Sequence, residues 1–456
     1  MATASLSPQK LNIILIGGGL IGPRHALSIK SNPSLHLLAL IDPASHGPQL
    51  ALSLATLHFP TLASLLTSPT IQKPDAAIIC TPNHTHVPIA LQLIAANIPI
   101  LIEKPISASI PEGLQLLSAA REKGVKILAG HHRRFNPYLL SAKTALDVQA
   151  LGKLIAVQGT WCLRKPASYF SGLGEWRRSA ESGGVILINL VHEIDLLQYL
   201  LGPIRCVSAI ETAKTRGFEA AEGGALVLGF ESGVVGTFLL SDCTPSPWNF
   251  EGGTGENPMI PKVGEEEGVG GFYRIMGTDG SLSVPDLRVW RGEWDEVLRR
   301  EELDMERERV PFDEQMEHFV KVVRDGERPR CTGEEALSAM VVCEAVKVAM
   351  RTEMWVDIEG FEFKIRNNGS GNVTTRGKNI KVKFATKTET WDRSYLASSV
   401  QDDFSKTIEK ADIPDGATVA VLAEKEHPSS SDSKSHFTTV FEDNDGKHVS
   451  TKHVYP

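Results

Sequence analysis

The chain has 456 residues, more than one hydrophobic core usually organises, so two or three domains are expected. A formal net charge of -8 argues against a nucleic-acid-binding or membrane-surface protein, because no extended basic stripe is available to neutralise phosphates. The six cysteines form no CxxC pairs, which predicts neither a disulfide scaffold nor a metal site. The sequence contains no run of about 18 apolar residues and no apolar N-terminal signal, so we expect a soluble, cytoplasmic protein.

The first predicted elements are a buried strand, a glycine-rich turn and the start of a helix. The strand Leu11–Ile16 runs into Gly17-Gly18-Gly19-Leu20-Ile21-Gly22, which satisfies the pattern G-x-G-x-x-G of dinucleotide-binding proteins. In such a turn Gly17 would allow the tight bend, Gly19 would let backbone N–H groups approach a pyrophosphate, and Gly22 would let helix and strand pack closely. The N-terminus of the helix would then face the phosphates.

The second predicted strand, Leu35–Ile41, ends at Asp42, which lies 20 residues beyond Gly22. An acidic residue at this distance is placed to accept a hydrogen bond from a ribose 2′-hydroxyl. Its carboxylate would repel a 2′-phosphate, and Pro43 leaves no adjacent arginine to offset that charge. The sequence therefore predicts an NAD-binding domain that disfavours NADP.

The rest of the first domain alternates between short apolar strands and helices. Strands are expected over residues 75–80, 99–102 and 125–129, and helices over residues 48–55, 61–66, 88–96 and 111–123. This alternation predicts a parallel sheet covered on both faces, whose ligands bind at the carboxyl ends of the strands. The polar segments Thr81–His86 and Glu103–Pro105 follow strands and should lie at that edge.

Four segments in this order resemble the Gfo/Idh/MocA family, which includes glucose-fructose oxidoreductase and inositol dehydrogenase. They are Leu11–Asp42, Thr81–His86, Glu103-Lys104-Pro105 and Gly183–Asp195. The resemblance implies an α/β fold: an N-terminal Rossmann domain with a doubly wound parallel sheet, then an α+β domain with a large, mostly antiparallel sheet. In this family the nicotinamide is held between the two domains. Within the family, GHHRRFNP (130–137), LRKPASYF (163–170) and SPWNFEGGTGENP (246–258) are most similar to fungal quinate-utilisation oxidoreductases.

The resemblance also implies which residues bind the cofactor and which act in catalysis. The cofactor-binding residues are expected to be Gly17, Gly19, Leu20, Ile21, Gly22, Asp42, Thr81, Asn83, His86, Glu103 and Lys104. In relatives the lysine at the position of Lys104 serves catalysis, and the proline after it is typically cis. From the residues alone, Lys104 is either a solvated lysine at a strand end or a partly desolvated base that takes the hydroxyl proton during hydride transfer.

Further candidate catalytic residues lie on the predicted helix Val185–Leu201. Asn189 and His192 are three residues apart and should project from one face, with Asp195 one further turn along. His192 is then either an acid or base whose tautomer the carboxylate sets, or a core histidine satisfied by Asp195. Many family members carry aspartate in place of Asn189, and an amide cannot exchange a proton. We therefore expect Asn189 to orient substrate or cofactor, and Lys104 and His192 to share the proton.

Cationic and aromatic residues in segments expected to face the cleft suggest that the substrate carries a carboxylate. The proposed substrate-binding residues are Arg134, Lys165, Trp176 and Arg177, and His131, His132 and Arg133 add further charge. A planar guanidinium matches a carboxylate in a bidentate way, whereas a neutral polyol needs no such concentration of charge. The alternative is that these cations pair with Glu175, Glu181 or the cofactor phosphates.

The second domain is expected to be rich in strands and to end in two helices that cover its sheet. Strands are expected over residues 155–162, 207–212, 224–230, 234–242, 272–276 and 281–284, and helices over 312–324 and 334–351. Residues 244–271 are interpreted as a binding loop, and residues 295–309 as a solvated charged face. The last 90 residues carry no family motif: we expect a linker at 367–372, strands at 379–388 and 418–424, a helix at 400–411 and a hairpin at 437–453.

The sequence thus predicts an NAD-binding Rossmann domain over residues 1–130, a substrate-binding α+β domain over 131–365, and a linker with a small module over 366–456. The predicted function is that of an NAD(H)-dependent oxidoreductase transferring hydride between nicotinamide and a secondary alcohol or ketone. Its small-molecule substrate would be a polyol, a sugar or a quinate-like hydroxy acid, and the second-domain sheet could form a homo-oligomer. The alternative is a non-catalytic, dinucleotide-binding transcriptional regulator or sensor of the same fold. The joint presence of Lys104, His192 and Asp195 favours the enzyme.

Overall fold

The computed structural model describes residues 9–180, 183–257, 260, 271–295, 297–306, 309–366, 380–384, 419–425, 436–442 and 448–454. The strands are β1 (Leu11–Ile16), β2 (Leu35–Ile41), β3 (Leu57–Phe59), β4 (Ala76–Ile79), β5 (Ile100–Ile102), β6 (Ile127–Ala129), β7 (Leu154–Cys162), β8 (Ile204–Glu211), β9 (Gly223–Phe230), β10 (Val235–Ser241), β11 (Tyr273–Gly277), β12 (Ser281–Val284), β13 (Arg288–Arg291), β14 (Arg299–Glu302), β15 (Trp355–Glu359), β16 (Glu362–Arg366), β17 (Ile380–Phe384), β18 (Val419–Lys425), β19 (His436–Glu442) and β20 (His448–Val454). The helices are α1 (Gly22–Ser31), α2 (Gly47–Ser53), α3 (Leu62–Leu66), α4 (Asn83–Ala95), α5 (Ile110–Lys123), α6 (Pro137–Asp147), α7 (Val191–Leu201), α8 (Phe250–Thr254), α9 (Pro311–Arg324) and α10 (Gly333–Thr352).

Two compact units divide the chain. The first comprises the described residues of Met1–Pro137 and Glu306–Leu337, and the second those of Tyr138–Met305 and Ser338–Pro456. The domain boundaries predicted at residues 130 and 365 concern which parts fold on their own, and they stay a prediction.

The first unit contains a parallel sheet whose six described strands run in the order β3-β2-β1-β4-β5-β6. Every residue of β4, β5 and β6 is buried, as expected for short apolar strands covered on both faces. The strand order reverses direction at β1, so the carboxyl ends of β1 and β4 mark the crevice where such sheets bind ligands. The predicted doubly wound sheet is confirmed.

Helix α9 was expected to cover the second-domain sheet, and this prediction is wrong. Its residues Met316, Phe319 and Val322 lie in one apolar core with Ile13 and Leu15 of β1. An amphipathic pattern shows that a helix buries one face, but it does not identify the surface that the face contacts.

The second unit is organised around a mixed, mostly antiparallel sheet. Its fourteen described strands run in the order β14-β13-β12-β11-β7-β10-β9-β8-β15-β16-β17-β18-β19-β20, and the pairs β7/β10 and β17/β18 are parallel. All six strands predicted in this domain are present. The charged segment 295–309 is exposed around β14. The sequence analysis missed β13, β14, β15 and β16; in β14 the charged residues carry no apolar alternation.

One face of this sheet presents apolar side chains to solvent. The exposed residues are Ile210, Val227, Val235, Leu239, Met276 and Trp290. Thr237 of β10 lies opposite Val227 of β9 and Gln158 of β7, so the outward positions of neighbouring strands form continuous rows. The inward positions of β10, including Phe238 and Leu240, are buried.

The C-terminal strands continue the same sheet, because β17 pairs with β16 and is followed by β18, β19 and β20. The three predicted strand regions and the pairing of the hairpin strands are therefore confirmed. The predicted linker 367–372, helix 400–411 and hairpin turn 444–446 lie outside the described residues, as does most of residues 258–270 in the predicted binding loop. Within the described part of the chain, no helix is both long and apolar enough to span a membrane.

Candidate active site

The glycine-rich turn follows β1 and has the geometry that its spacing predicts. Gly17 has φ 100°, and a Cβ at this position would lie 2.7 Å from the carbonyl oxygen of Cys80. A Cβ at Gly22 would lie 2.3 Å from the carbonyl oxygen of Gly17, so only glycine allows α1 to begin this close to the strand. A Cβ at Gly19 would meet nothing within 4 Å, which leaves open space for a ligand to approach the backbone.

Two apolar residues of the turn precede α1. The side chain of Leu20 is 98% exposed, and Ile21 is the N-cap residue, which forms no side-chain cap hydrogen bond. The first N–H groups of a helix have no partner within the helix. In α1, however, Pro23 has no N–H and the Arg24 N–H donates to the Ile21 carbonyl oxygen (3.1 Å), so within the first turn only the Gly22 N–H can face an anion.

Asp42 follows β2 and is buried against the turn. Its Oδ2 accepts a hydrogen bond from the Gly18 N–H (2.6 Å), and its Oδ1 accepts one from the Ala44 N–H (2.8 Å). A carboxylate has about four acceptor positions, so these two bonds leave room for a hydroxyl donor. The bond to Gly18 also ties the end of β2 to the turn, a contact that the spacing alone did not indicate.

Asn83 and His86 lie on the first turn of α4, which begins earlier than predicted. The ring nitrogens of buried His86 lie 2.7 Å from the carbonyl oxygen of Thr81 and 2.9 Å from that of Pro105. Burial lowers the pKa of His86, whereas both carbonyl contacts act to raise it. The pKa of His86 is lowered on balance, which favours the neutral ring; that ring donates a hydrogen bond to one of the two carbonyl oxygens. His86 thus links the ends of two strands.

Lys104 follows β5, is half-buried, and precedes Pro105 through a cis peptide bond, as the resemblance implied. The side chain of Glu103 points into the unit: its Oε1 lies 2.7 Å from His25 Nε2, and its Oε2 accepts a hydrogen bond from the Lys104 N–H (3.2 Å). The structure therefore directs the carboxylate of Glu103 toward α1, although the sequence suggested that it binds the cofactor.

In the second unit, Asn189, His192 and Asp195 are all buried. Ile186–Leu190 form a π-helical turn, and α7 follows at Val191. His192 and Asp195 keep the predicted α-helical spacing, whereas Asn189 lies in the wider turn, so the one-face argument does not extend to it. Turns of this kind often occur at functional sites. The sequence analysis missed Glu193, which is buried and accepts a hydrogen bond from the buried Tyr273 hydroxyl.

The structure brings the predicted substrate residues Lys165, Trp176 and Arg177 together around Tyr169. Lys165 Nζ lies 5.0 Å from the centre of the Tyr169 ring, and the Arg177 guanidinium lies 4.1 Å from it. Arg177 also lies 5.0 Å from the Trp176 ring and donates to the Tyr169 carbonyl oxygen (2.8 Å). We call these four residues the Tyr169 cluster. Glu175 is exposed, and Glu181 lies outside the described residues.

The backbone connects this cluster to the segment that carries Asn189 and His192. The Gly183 N–H donates to the Ser179 carbonyl oxygen (3.0 Å), and a Cβ at Gly183 would lie 2.5 Å from the Arg177 carbonyl. Since no side chain fits at Gly183, the chain after Arg177 is held directly against the start of the π-helical turn.

Arg134 does not belong to the Tyr169 cluster. Its side chain is 3% exposed, and its Nη1 donates to Glu335 Oε2 and to the Arg330 carbonyl oxygen, each at 2.7 Å. The pairing of Arg134 with a carboxylate agrees with the alternative that these cations pair with acidic groups and not with the substrate. Its partner, Glu335, was not among the acidic groups that the sequence suggested. They lie within the first unit.

A buried carboxylate that the sequence analysis missed holds the loops beside the Tyr169 cluster. Glu222 accepts hydrogen bonds from the Thr215 N–H (2.7 Å), the Thr215 hydroxyl (2.7 Å) and the Arg216 N–H (2.9 Å). Although burial opposes ionisation, these bonds and that from Cys243 lower the pKa of Glu222 to about 2. The Arg216 guanidinium pairs with Asp242 and lies 4.2 Å from the Phe170 ring. No sequence spacing links these residues.

Comparison with known proteins identifies two domain models named for Gfo/Idh/MocA. The model described as "Oxidoreductase family, NAD-binding Rossmann fold" matches residues 11–131, and "Oxidoreductase family, C-terminal alpha/beta domain" matches residues 143–358. A levoglucosan dehydrogenase of Pseudarthrobacter phenanthrenivorans is 30% identical over 48% of this chain and 59% of its own length. Inositol 2-dehydrogenase 4 of Saccharopolyspora erythraea is 26% identical over 75% of this chain and 93% of its own length. The structure of the WlbA dehydrogenase from Bordetella pertussis, solved with NADH and UDP-GlcNAcA, has the same fold: its TM-score is 0.61 at 19% identity, covering 78% of this chain and 99% of that one.

Proposed function

Because the chain belongs to the Gfo/Idh/MocA family of oxidoreductases, we propose that it transfers a hydride between NAD and a secondary alcohol or ketone of a polyol, sugar or hydroxy acid. The observation that carries this proposal is Lys104, a half-buried amine at the carboxyl end of β5, in the same sheet edge as the glycine-rich turn and Asp42. The test is NADH absorbance during incubation with NAD and a panel of polyols, sugars and hydroxy acids. No turnover with any class would support the alternative of a dinucleotide-binding regulator.

We assign the substrate proton to Lys104 and His192. Oxidation of an alcohol requires a base for the hydroxyl proton, and the reverse reaction requires an acid. A half-buried lysine and a buried histidine can both exchange a proton, and Asp195, one helical turn from His192, can set its tautomer. Asn189 would orient substrate or cofactor by hydrogen bonds, since its amide cannot exchange a proton. Bound NAD supplies the hydride acceptor.

The cofactor would be NAD in preference to NADP, because the buried carboxylate of Asp42 favours a ribose hydroxyl and repels a 2′-phosphate. Steady-state kinetics should give a higher kcat/KM with NAD. Asp42→Asn, which removes the charge but keeps an acceptor, should narrow the difference. Equal or better use of NADP by the unmodified protein would overturn this proposal.

The substrate would carry a carboxylate that binds the Tyr169 cluster. Lys165 and Arg177 place two positive charges around one aromatic ring, and a guanidinium matches a carboxylate in a bidentate way. Acid and neutral forms of one carbon skeleton should therefore differ in KM, and Lys165→Met or Arg177→Gln should raise the KM of the acid alone. Equal use of both forms would exclude this carboxylate site. A quinate-like acid is the first compound to try.

The exposed apolar face of the second sheet would form a homo-oligomer with a second copy of the chain, since a row of large apolar side chains is costly to leave in water. Leu239→Glu should shift the oligomer toward monomer in sedimentation, whereas Thr237→Glu on the same strand serves as a polar-site control. A cytoplasmic location agrees with the six cysteines, which form no disulfide in the part of the chain that the structure describes. Cell fractionation tests it.

A further inference from the structure

The first unit contains a buried histidine–carboxylate pair that the proposed reaction does not use directly. His25 is on α1 with no exposed surface, and Glu103 is at the end of β5. His25 Nε2 lies 2.7 Å from Glu103 Oε1, and no partner lies near His25 Nδ1 among the described residues. A ring that carries its proton on Nε2 donates to the carboxylate and leaves only an acceptor nitrogen without a partner. The pair is therefore a histidine donor facing a carboxylate acceptor.

The surroundings leave this pair little freedom. The centre of the Phe312 ring lies 5.2 Å from that of the His25 ring and is stacked at 4.5 Å on the His132 ring. The Arg24 guanidinium lies 4.1 Å from the centre of the same Phe312 ring. A Cβ at Gly130, which directly follows β6, would lie 2.9 Å from Glu103 Cα, so the chain packs closely against the glutamate backbone there. Such close packing holds the carboxylate in one orientation.

Glu103 is also joined to its neighbour Lys104, since its second oxygen accepts the Lys104 N–H across 3.2 Å. The titratable groups that face Glu103 are His25 on α1, His132 after β6, Lys104 on its own strand end, and Cys80 and His86 near β4. Burial opposes ionisation of Glu103, but the hydrogen bond from His25, together with His132 and Lys104, holds the pKa of Glu103 below its usual value. A carboxylate next to Lys104 in turn favours the ammonium form of that lysine.

We propose that His25 and Glu103 are positioning residues for Lys104: His25 holds the carboxylate, which fixes the Lys104 backbone and strengthens proton binding by its amine. This inference rests on the proposed role of Lys104 in handling the substrate proton. In the oxidation direction the base must be neutral, so the rate should rise as the pH passes the pKa of Lys104. Removing the charge of Glu103 should move this rise to lower pH.

The direct test is to label the full-length protein with acetic anhydride over a pH series and to quantify acetyl-Lys104 by mass spectrometry, with exposed Lys126 as the internal control. In Glu103→Gln, the midpoint of Lys104 labelling should move to lower pH, and that of Lys126 should not change. His25→Gln can still donate a hydrogen bond and should keep the original midpoint. His25→Leu cannot donate and should resemble Glu103→Gln.

The pH at which kcat rises should differ among the variants in the same order as the midpoint of Lys104 labelling. A Lys104 midpoint that is unchanged in folded Glu103→Gln, or that responds equally to His25→Gln and His25→Leu, overturns the proposal. If Glu103→Gln does not fold, the midpoints of Lys104 labelling in His25→Gln and His25→Leu are compared instead, and a difference between them supports the proposal. The labelling needs no substrate, so an absence of turnover would count against the proposed function and not against the pair.

Discussion

The two units hold their candidate site residues in different ways. In the first unit, Gly17 and Asp42 directly follow a parallel strand and Lys104 lies two residues after one, so the backbone pairing of the sheet sets their positions. In the second unit, Lys165 and Arg177 lie on connections outside the strands, and contacts between side chains hold those connections in place. A site on strand ends is encoded locally, whereas a site on loops depends on residues far apart in the sequence.

A buried carboxylate in each unit illustrates this difference. Glu222 binds backbone and hydroxyl donors and the guanidinium of Arg216, none of which loses its proton near neutral pH. Glu103 binds the imidazole of His25 and the N–H of Lys104, the candidate acid or base. Glu222 is thus suited to anchor a loop at any pH in the working range, and Glu103 is suited to influence a neighbouring proton.

The largest expected effect comes from breaking the first unit's site at Lys104. Lys104→Ala should lower kcat by roughly 10²- to 10⁴-fold, the usual loss when an acid or base is removed, with little change in NAD affinity. His192→Ala should lower kcat within the same range. Steady-state kinetics and a fluorescence titration with NADH measure both quantities, and Lys126→Ala, an exposed lysine of the same unit, is the control. Near-normal turnover in both variants would favour the regulator.

In the second unit, the next largest effect is expected from replacing Glu222, which should change how stability depends on pH. Its pKa of about 2, against an ordinary value of 4.5, means that the ionised carboxylate stabilises the folded state. Because the folded-state pKa is the lower one, this stabilisation is present above pH 4.5 and is lost as the pH falls toward 2. Thermal unfolding from pH 7 downward should therefore show a smaller loss of stability below pH 4.5 in Glu222→Gln than in the unmodified protein. Glu219→Gln, which changes an exposed carboxylate of the same loop, should lose stability with falling pH as steeply as the unmodified protein does. If stability falls equally with pH in the unmodified protein, Glu222→Gln and Glu219→Gln, then Glu222 does not anchor the loop.

The contrast between the units also explains what the sequence could predict. The alternation of strands and helices in the first unit, the bend at Gly17 and the close packing at Gly22 follow from residues within a few positions of one another. A short apolar strand, a glycine and a helix start each impose local steric or hydrogen-bonding requirements. These requirements can be read directly from the chain.

Other features could not be predicted, because they depend on contacts between distant residues or on small changes in helix geometry. Glu103 faces His25, 78 residues away, and the sequence offers no periodic signal for such a pair. The loop beside the Tyr169 cluster depends on Arg216 and Asp242, 26 residues apart. The π-helical turn at Ile186–Leu190 changes the direction of Asn189, although the apolar pattern there is that of an ordinary helix.

Smaller effects are expected from substitutions that distinguish the structural role of Gly22 from the cofactor-binding role of Gly19. A Cβ at Gly22 would lie 2.3 Å from a backbone oxygen that cannot move easily, so Gly22→Ala should destabilise the unit by about 1–3 kcal/mol. A Cβ at Gly19 meets nothing within 4 Å, so Gly19→Ala should unfold normally but bind NAD more weakly. Chemical unfolding and NADH titration give the two quantities. Normal NAD binding by Gly19→Ala would mean that the cofactor does not approach the turn at this position.

The smallest effect is expected from removing the C-terminal strands. This truncation tests how much of the second unit the candidate active site requires. A chain ending at Arg366 loses β17–β20 but keeps β15, β16 and every candidate site residue. It should fold and retain turnover, because the matched family domain ends at residue 358. Its new edge strand, β16, exposes unpaired backbone groups, so self-association should increase with protein concentration. A chain ending at Glu359, which leaves β15 as the edge, provides the comparison. Insolubility or inactivity of the Arg366 chain would show instead that the C-terminal strands are an integral part of the second unit's sheet.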